Sequence, residues 1–266
     1  MLLYVGGIAL IAISSIVCAV LRIPVETRLW EFPIDFRIVA AFALVLFSAR
    51  GNLSASIEPL GLRKWSWRYF SLAFCAPAVL LLSVILIGFA AKTVEFQGVE
   101  NTLTFWLSAV LDLPAFFFFS LTTIFLEEVI FRGMIVNKLA AERTYFSAIA
   151  ISSVLWAVLR IADAQDSGAG VLSSVMVRFL YYSILGTLLC QIYSIYGSIW
   201  ITYSFRVGLA IFSSLLLSSA DSEVNSLFTA NTAQFDHHGL AIVGVFCICV
   251  VVLQKLPLSA KKPQVH

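Results

Sequence analysis

The chain has 266 residues, 61% of them hydrophobic and 12% charged, with a mean hydropathy of +0.97. Soluble domains run nearer ~45–50% apolar and ~25% charged, so a single soluble core is excluded and a polytopic membrane protein is indicated. The net charge of +2 is too small to argue for a nucleic-acid partner.

Apolar runs of about 18 residues or more, the length a helix needs to cross a bilayer, recur along the chain. They predict an all-α helical bundle of about eight transmembrane helices, near 1–21, 34–49, 70–91, 104–139, 144–162, 171–194, 197–219 and 239–254. Residues 1–21 lack a basic opening and a convincing cleavage site, which points to a retained first span rather than a signal peptide. The fourth run is too long for one crossing. It divides into a short amphipathic or re-entrant piece around 104–112 and a long helix from Pro114 to about residue 139. Arg50, Arg63, Lys64 and Arg68 precede the third span, Lys138 and Arg143 follow the fourth, and Lys255, Lys261 and Lys262 follow the eighth. With eight crossings these fall on one side, and the opposite loops carry mostly acids. Both termini are therefore expected in the cytoplasm, with the chain in the cell membrane. The sequence shows no internal repeat, so one membrane domain over 1–266 is expected.

Glu127 and Glu128 stand side by side inside the fourth run, with Arg132 four residues beyond the second. Charges in hydrocarbon cost a few kcal/mol or more unless paired, so this group is a functional-site candidate. On a helix Glu128 and Arg132 face each other at i and i+4, and Glu127 points roughly 100° away. Arg160, Arg178 and Arg206 lie inside later spans. Glu127 and Arg160 are 16 and 17 residues from a turn near residue 143, hence about 24–26 Å up their helices at 1.5 Å per residue. Arg132 and Arg206 match in depth within about one helical turn of each other. Two acids and three arginines are thus expected to converge in one buried region, whereas Arg178 can snorkel to the interface.

Metal ligation is not indicated. Cys18, Cys75, Cys190, Cys247 and Cys249 fall in apolar runs without metal spacing and read as small core hydrophobes. The histidines are His237, His238 and His266, away from the buried carboxylates, and the arginines oppose a cation. No cofactor is expected.

The order and spacing of these residues resemble the CAAX-protease and bacteriocin-processing (CPBP, or Abi) family of intramembrane glutamate proteases, which includes the Ras-converting prenyl-protein endopeptidases. The first motif, Glu-Glu-x-x-x-Arg, is matched by Glu127-Glu128-Val-Ile-Phe-Arg132-Gly133. The second is matched by Ser152-Ser153-Val-Leu-Trp156-Ala-Val-Leu-Arg160, with Arg160 where the family has histidine. The third is matched by Gly186 with Gly197-Ser198-Ile199-Trp200, then Arg206 in place of the second histidine and Ala210 in place of an asparagine. The likeness covers roughly 115–215 and makes this the motif-bearing core.

The resemblance implies that Glu127 activates water for attack on a peptide carbonyl, that Glu128, Arg132, Arg160 and Arg206 complete the catalytic group, and that Trp156, Trp200 and Ala210 lie on the substrate side. It implies a membrane-bound or lipidated protein or peptide as substrate or partner. The arginines alter this chemistry. They cannot shuttle a proton, although either could donate to an oxyanion, and a fixed positive charge weakens a neighbouring carboxylate as a base. Acids and arginines are nevertheless both retained, which reads as compensation, and the surplus of about one positive charge suits an anion. Three functions remain open: an endopeptidase with an altered site, a non-catalytic relative that binds or chaperones a membrane partner, and a carrier of an anion or lipid phosphate.

Overall fold

The computed structural model describes residues 26–29, 32–35, 61–62, 65–96, 120, 123–160, 171–219, 227–230 and 240–255. Helices dominate these segments. In chain order they are α1 (Trp67–Ala90), α2 (124–142), α3 (Tyr145–Arg160), α4 (Val171–Tyr196), α5 (Ile199–Leu216) and α6 (Leu240–Lys255). Among the described residues, three stretches are long and apolar enough to cross a membrane: Trp67–Ala90, Val175–Tyr196 and Ile199–Leu216. The protein is an integral membrane protein. α3 and the 241–254 part of α6 are apolar but shorter; at 1.5 Å per residue the 16 residues of α3 rise about 24 Å. The expected spans at 1–21 and 34–49 and the piece around 104–112 lie almost wholly outside the described residues, as does the start of the long helix at Pro114.

α2 departs from the expected regular helix. It is α-helical over Ile124–Glu128, π-helical over Val129–Val136 and α-helical again over Asn137–Glu142. Two side chains reach backbone carbonyls of the π segment, Ser152 Oγ donating to Phe131 O at 2.8 Å and Asn137 Nδ2 to Gly133 O at 2.5 Å. In a membrane such donors matter, because an unpaired backbone group there costs several kcal/mol.

The helices pair through small residues. α5 meets α1 where a Cβ on Gly208 would run into the carbonyl oxygen of Phe74, and Ser204 Oγ donates to Phe70 O at 2.6 Å. α3 meets α4 where a Cβ on Gly186 would lie 3.0 Å from Ser153 Cβ. Close backbone approach of this kind is how membrane helices gain packing without a solvent-driven force. α4 also packs against α6, with the Tyr181 and Phe246 rings 5.8 Å apart. The turn between α2 and α3 falls at Arg143 and Thr144, as the spacing predicts. α4 ends at Gly197, whose φ of 61° is the left-handed helix cap that glycine adopts without strain, and its N–H donates to Tyr193 O at 2.7 Å.

Short strands appear where the sequence suggests only loops and helices. β1 (Glu26–Leu29) and β2 (Phe32–Asp35) form an antiparallel pair whose second strand overlaps the start expected for the second span. β3 (Val94–Phe96), β4 (Leu217–Ser219) and β5 (Phe228–Ala230) form a sheet ordered β3-β5-β4. The β3–β5 pairing is antiparallel, with Glu95 opposite Thr229, and β4–β5 is parallel, with Ser218 opposite Thr229. Chain leaving α1 and α5 at the same end must pair its backbone groups, and this small sheet does so.

Candidate functional site

The five charged residues singled out from the sequence meet in one buried cluster. Thr123 O receives the Glu127 N–H at 3.0 Å and starts the short helical stretch that carries both carboxylates inward. Glu127 and Glu128 are both 0% exposed. Glu127 Oε1 accepts from Arg160 Nη2. Glu127 Oε2 accepts from Trp156 Nε1 at 2.8 Å and from Arg206 Nη1 at 2.7 Å. The same Arg206 nitrogen donates to Glu128 Oε1 at 3.1 Å, so Arg206 bridges the two acids.

Arg132 is arranged differently. Its Nη1 is 3.4 Å from Glu128 Oε1, which keeps the predicted i, i+4 ion pair. Its guanidinium carbon lies 4.2 Å from the centroid of the Trp156 ring, and that of Arg206 lies 4.8 Å from the same centroid. Cation–π contacts at these distances contribute about 2 kcal/mol or more when desolvated. Among the described residues, no hydrogen-bond partner meets Arg132 Nε, Nη1 or Nη2, nor Glu128 Oε2.

Trp156 does more than its place in the motif suggests. It stands one turn before Arg160 on α3, fully buried, and combines a hydrogen bond to Glu127 with a ring face for two guanidinium groups and an edge contact to Tyr182 at 5.3 Å. The i, i+4 relation of Trp156 and Arg160 is the sequence signal that places both on one face of α3. Trp200 sits elsewhere. Its Nε1 donates to Leu62 O at 2.8 Å, and its ring packs near Phe125 and Trp65, tying the 61–62 segment to α5. Gly61 beside it, with φ 64°, lies directly on the Gly197 carbonyl, so a Cβ has no room there. Ala210 is half-buried one turn beyond Arg206 and offers only a methyl group.

Several polar contacts on α4 and α5 were not anticipated. Ser120 and Tyr203 share a hydrogen bond at 2.9 Å, Asn137 Nδ2 donates to Tyr193 OH at 3.0 Å, and Thr187 Oγ1 donates to Ser183 O at 2.9 Å. Cys190 is buried, Cys249 half-buried, and Cys75 and Cys247 exposed, all four as unpaired thiols. Among the described residues no group of three or more His, Cys, Asp or Glu is placed to hold a metal ion. His237, His238, His266 and Cys18 lie outside the described residues.

Adjacent buried glutamates, a following arginine and a tryptophan donor from the next helix thus form one buried cluster in a helical membrane protein. The family model described as Rce1-like, type II CAAX prenyl endopeptidase Rce1-like, matches residues 108–212. The match falls on the stretch that carries the buried charges, and this stretch is similar to that family. Searches of curated proteins and of solved structures give no match.

Proposed function

We propose that the chain uses a CAAX-type endopeptidase scaffold to hold a membrane-bound or lipidated protein partner without cutting it. The observation that supports this is the occupancy of Glu127, whose two oxygens accept from Arg160, Trp156 and Arg206. A general base needs a lone pair directed at the proton that it takes. Arginine cannot exchange a proton as histidine does, so the replacements at Arg160 and Arg206 remove the imidazoles of the family pattern and fasten the carboxylate instead. The bias of lysine and arginine in the sequence supports a cytoplasmic placement of both termini.

A second reading, an endopeptidase with an altered site, is favoured by two observations. The Glu127-Glu128-Val-Ile-Phe-Arg132-Gly133 motif is complete. The Arg160 side chain is 15% exposed, the most open of the ion-paired groups, so Glu127 Oε1 is the carboxylate oxygen nearest to solvent or lipid access. Arg160 or Arg206 would then donate to the oxyanion.

The two are separated by reconstituting the full chain in proteoliposomes with a fluorescent farnesylated peptide ending in a CAAX sequence. Anisotropy reads binding, and mass spectrometry reads release of the C-terminal fragment. The holding function expects saturable binding and no fragment. Absence of binding overturns it. Fragment release that survives chelators and disappears in Glu127→Gln overturns it in favour of hydrolysis.

A further inference from the structure

We infer that Glu128 and Arg132 bind one buried water molecule between them, which donates to Glu128 Oε2 and accepts from the Arg132 guanidinium. The site goes beyond the question of holding or cutting and depends on neither answer. Glu128 and Arg132 are both 0% exposed. Glu127 Oε1 accepts from Arg160 Nη2, Glu127 Oε2 from Trp156 Nε1 and Arg206 Nη1, and Glu128 Oε1 from Arg206 Nη1. The remaining carboxylate oxygen is Glu128 Oε2, which meets no donor among the described residues, while Arg132 Nε, Nη1 and Nη2 meet no hydrogen-bond acceptor. The unused acceptor and the unused donors are neighbours, because Arg132 Nη1 lies 3.4 Å from Oε1 of the same carboxylate.

Other contacts hold the two groups where they are. The Arg132 guanidinium carbon rests 4.2 Å from the centroid of the Trp156 ring, and Arg206 Nη1 holds Glu128 Oε1 at 3.1 Å. Leaving the remaining donors and acceptor bare costs the full desolvation of each, and hydrocarbon offers nothing in return. The species that completes them must accept from a guanidinium and donate to a carboxylate at once. A metal cation serves only Glu128, and a halide only Arg132. Water does both, occupies about 30 Å3 in the liquid, and takes two to four polar partners when buried. Its place on α2 is the junction where the α-helical stretch ends at Glu128 and the π segment that carries Arg132 begins, and π-helical turns of this kind recur at functional sites. The carboxylate of this cluster that carries water is therefore Glu128, whereas both oxygens of Glu127 are taken by protein donors.

Water-edited solid-state NMR of the isotopically labelled full chain in proteoliposomes tests this, because magnetisation that starts on water reaches first the groups that touch it. The exposed Arg68 gives the reference for solvent contact, and Ile130 and Ile135, buried apolar side chains of the same helix, give the reference for a dry interior. The expected result is transfer to Glu128 Cδ and Arg132 Cζ well ahead of both isoleucines. In Glu128→Leu, which removes the acceptor, the early transfer to Arg132 Cζ should be lost. Should that variant fail to fold, the comparison within the parent chain decides alone. Transfer to Glu128 and Arg132 no earlier than to Ile130 and Ile135 overturns the site. So does early transfer to only one of the two charged groups, or early transfer to Arg132 that persists in a folded Glu128→Leu variant.

Discussion

Arg206→Met isolates the contact on which the cluster most depends. Arg206 Nη1 lies 2.7 Å from Glu127 Oε2 and 3.1 Å from Glu128 Oε1, and both acids are wholly buried. Methionine keeps an unbranched stem of similar reach but removes the charge. Breaking a buried pair by deleting one partner costs about 3–5 kcal/mol, because the other charge remains buried. Glu127 keeps Arg160 and Trp156, and Glu128 keeps Arg132 at 3.4 Å, so the loss belongs at the lower end, about 3 kcal/mol, or roughly a hundredfold in the folding equilibrium. The assay is unfolding in detergent of the parent, Arg206→Met, Glu127→Gln and the double variant. Direct contact gives a coupling of about 0.5–3 kcal/mol, so the double variant is less destabilised than the sum of the singles. Arg206→Met melting with the parent, or strictly additive singles, would refute the claim that this bridge holds the cluster.

Trp156→Phe keeps a ring beneath the guanidinium groups but deletes the N–H to Glu127 Oε2, and its loss in detergent melting should be about 1–3 kcal/mol. Gly208→Ala drives a methyl group into the Phe74 carbonyl and should cost about 1–3 kcal/mol, whereas Gly244→Ala, with nothing within 4 Å of the new Cβ, should be neutral or gain up to about 1 kcal/mol. Restoring the family residues together, by Arg160→His, Arg206→His and Ala210→Asn, removes two positive charges from beside Glu127 and Glu128 and should cost about 3–5 kcal/mol, read as earlier melting and lower membrane accumulation. A triple variant as stable as the parent that also cleaves a prenylated peptide would mean that the arginines do not compensate the acids.

Charge was the most legible property of the sequence, because hydrocarbon leaves a buried ion few places to go. The depths of Glu127 and Arg160, counted from a turn near residue 143, predicted their meeting, and the turn is at Arg143 and Thr144. Helix positions were legible for the same reason: α1, α4 and α5 follow apolar runs whose length the bilayer sets. The π segment was not, since its residues, Val-Ile-Phe-Arg-Gly-Met-Ile-Val, have the apolar pattern of any buried helix, and the donors at Ser152 and Asn137 become visible only when the helices are packed. The sheet of β3, β5 and β4 was hidden by distance along the chain, with Glu95 and Ser218 both meeting Thr229. Trp200 was drawn toward the site by its motif, yet its indole nitrogen is used on Leu62 O.

The wide turns between Val129 and Val136 also fix the phase between the two ends of α2. Glu127 and Glu128 are set before them and Leu139 after them, each end anchored in different packing: the acids to Arg160 and Arg206, Leu139 in the apolar core. Removing a single residue from this stretch would not simply shorten the helix. It would tighten the wide turns toward ordinary α-helical ones and change how the carboxylate end is set against the rest. Length in this segment is therefore a structural variable in its own right, alongside residue identity.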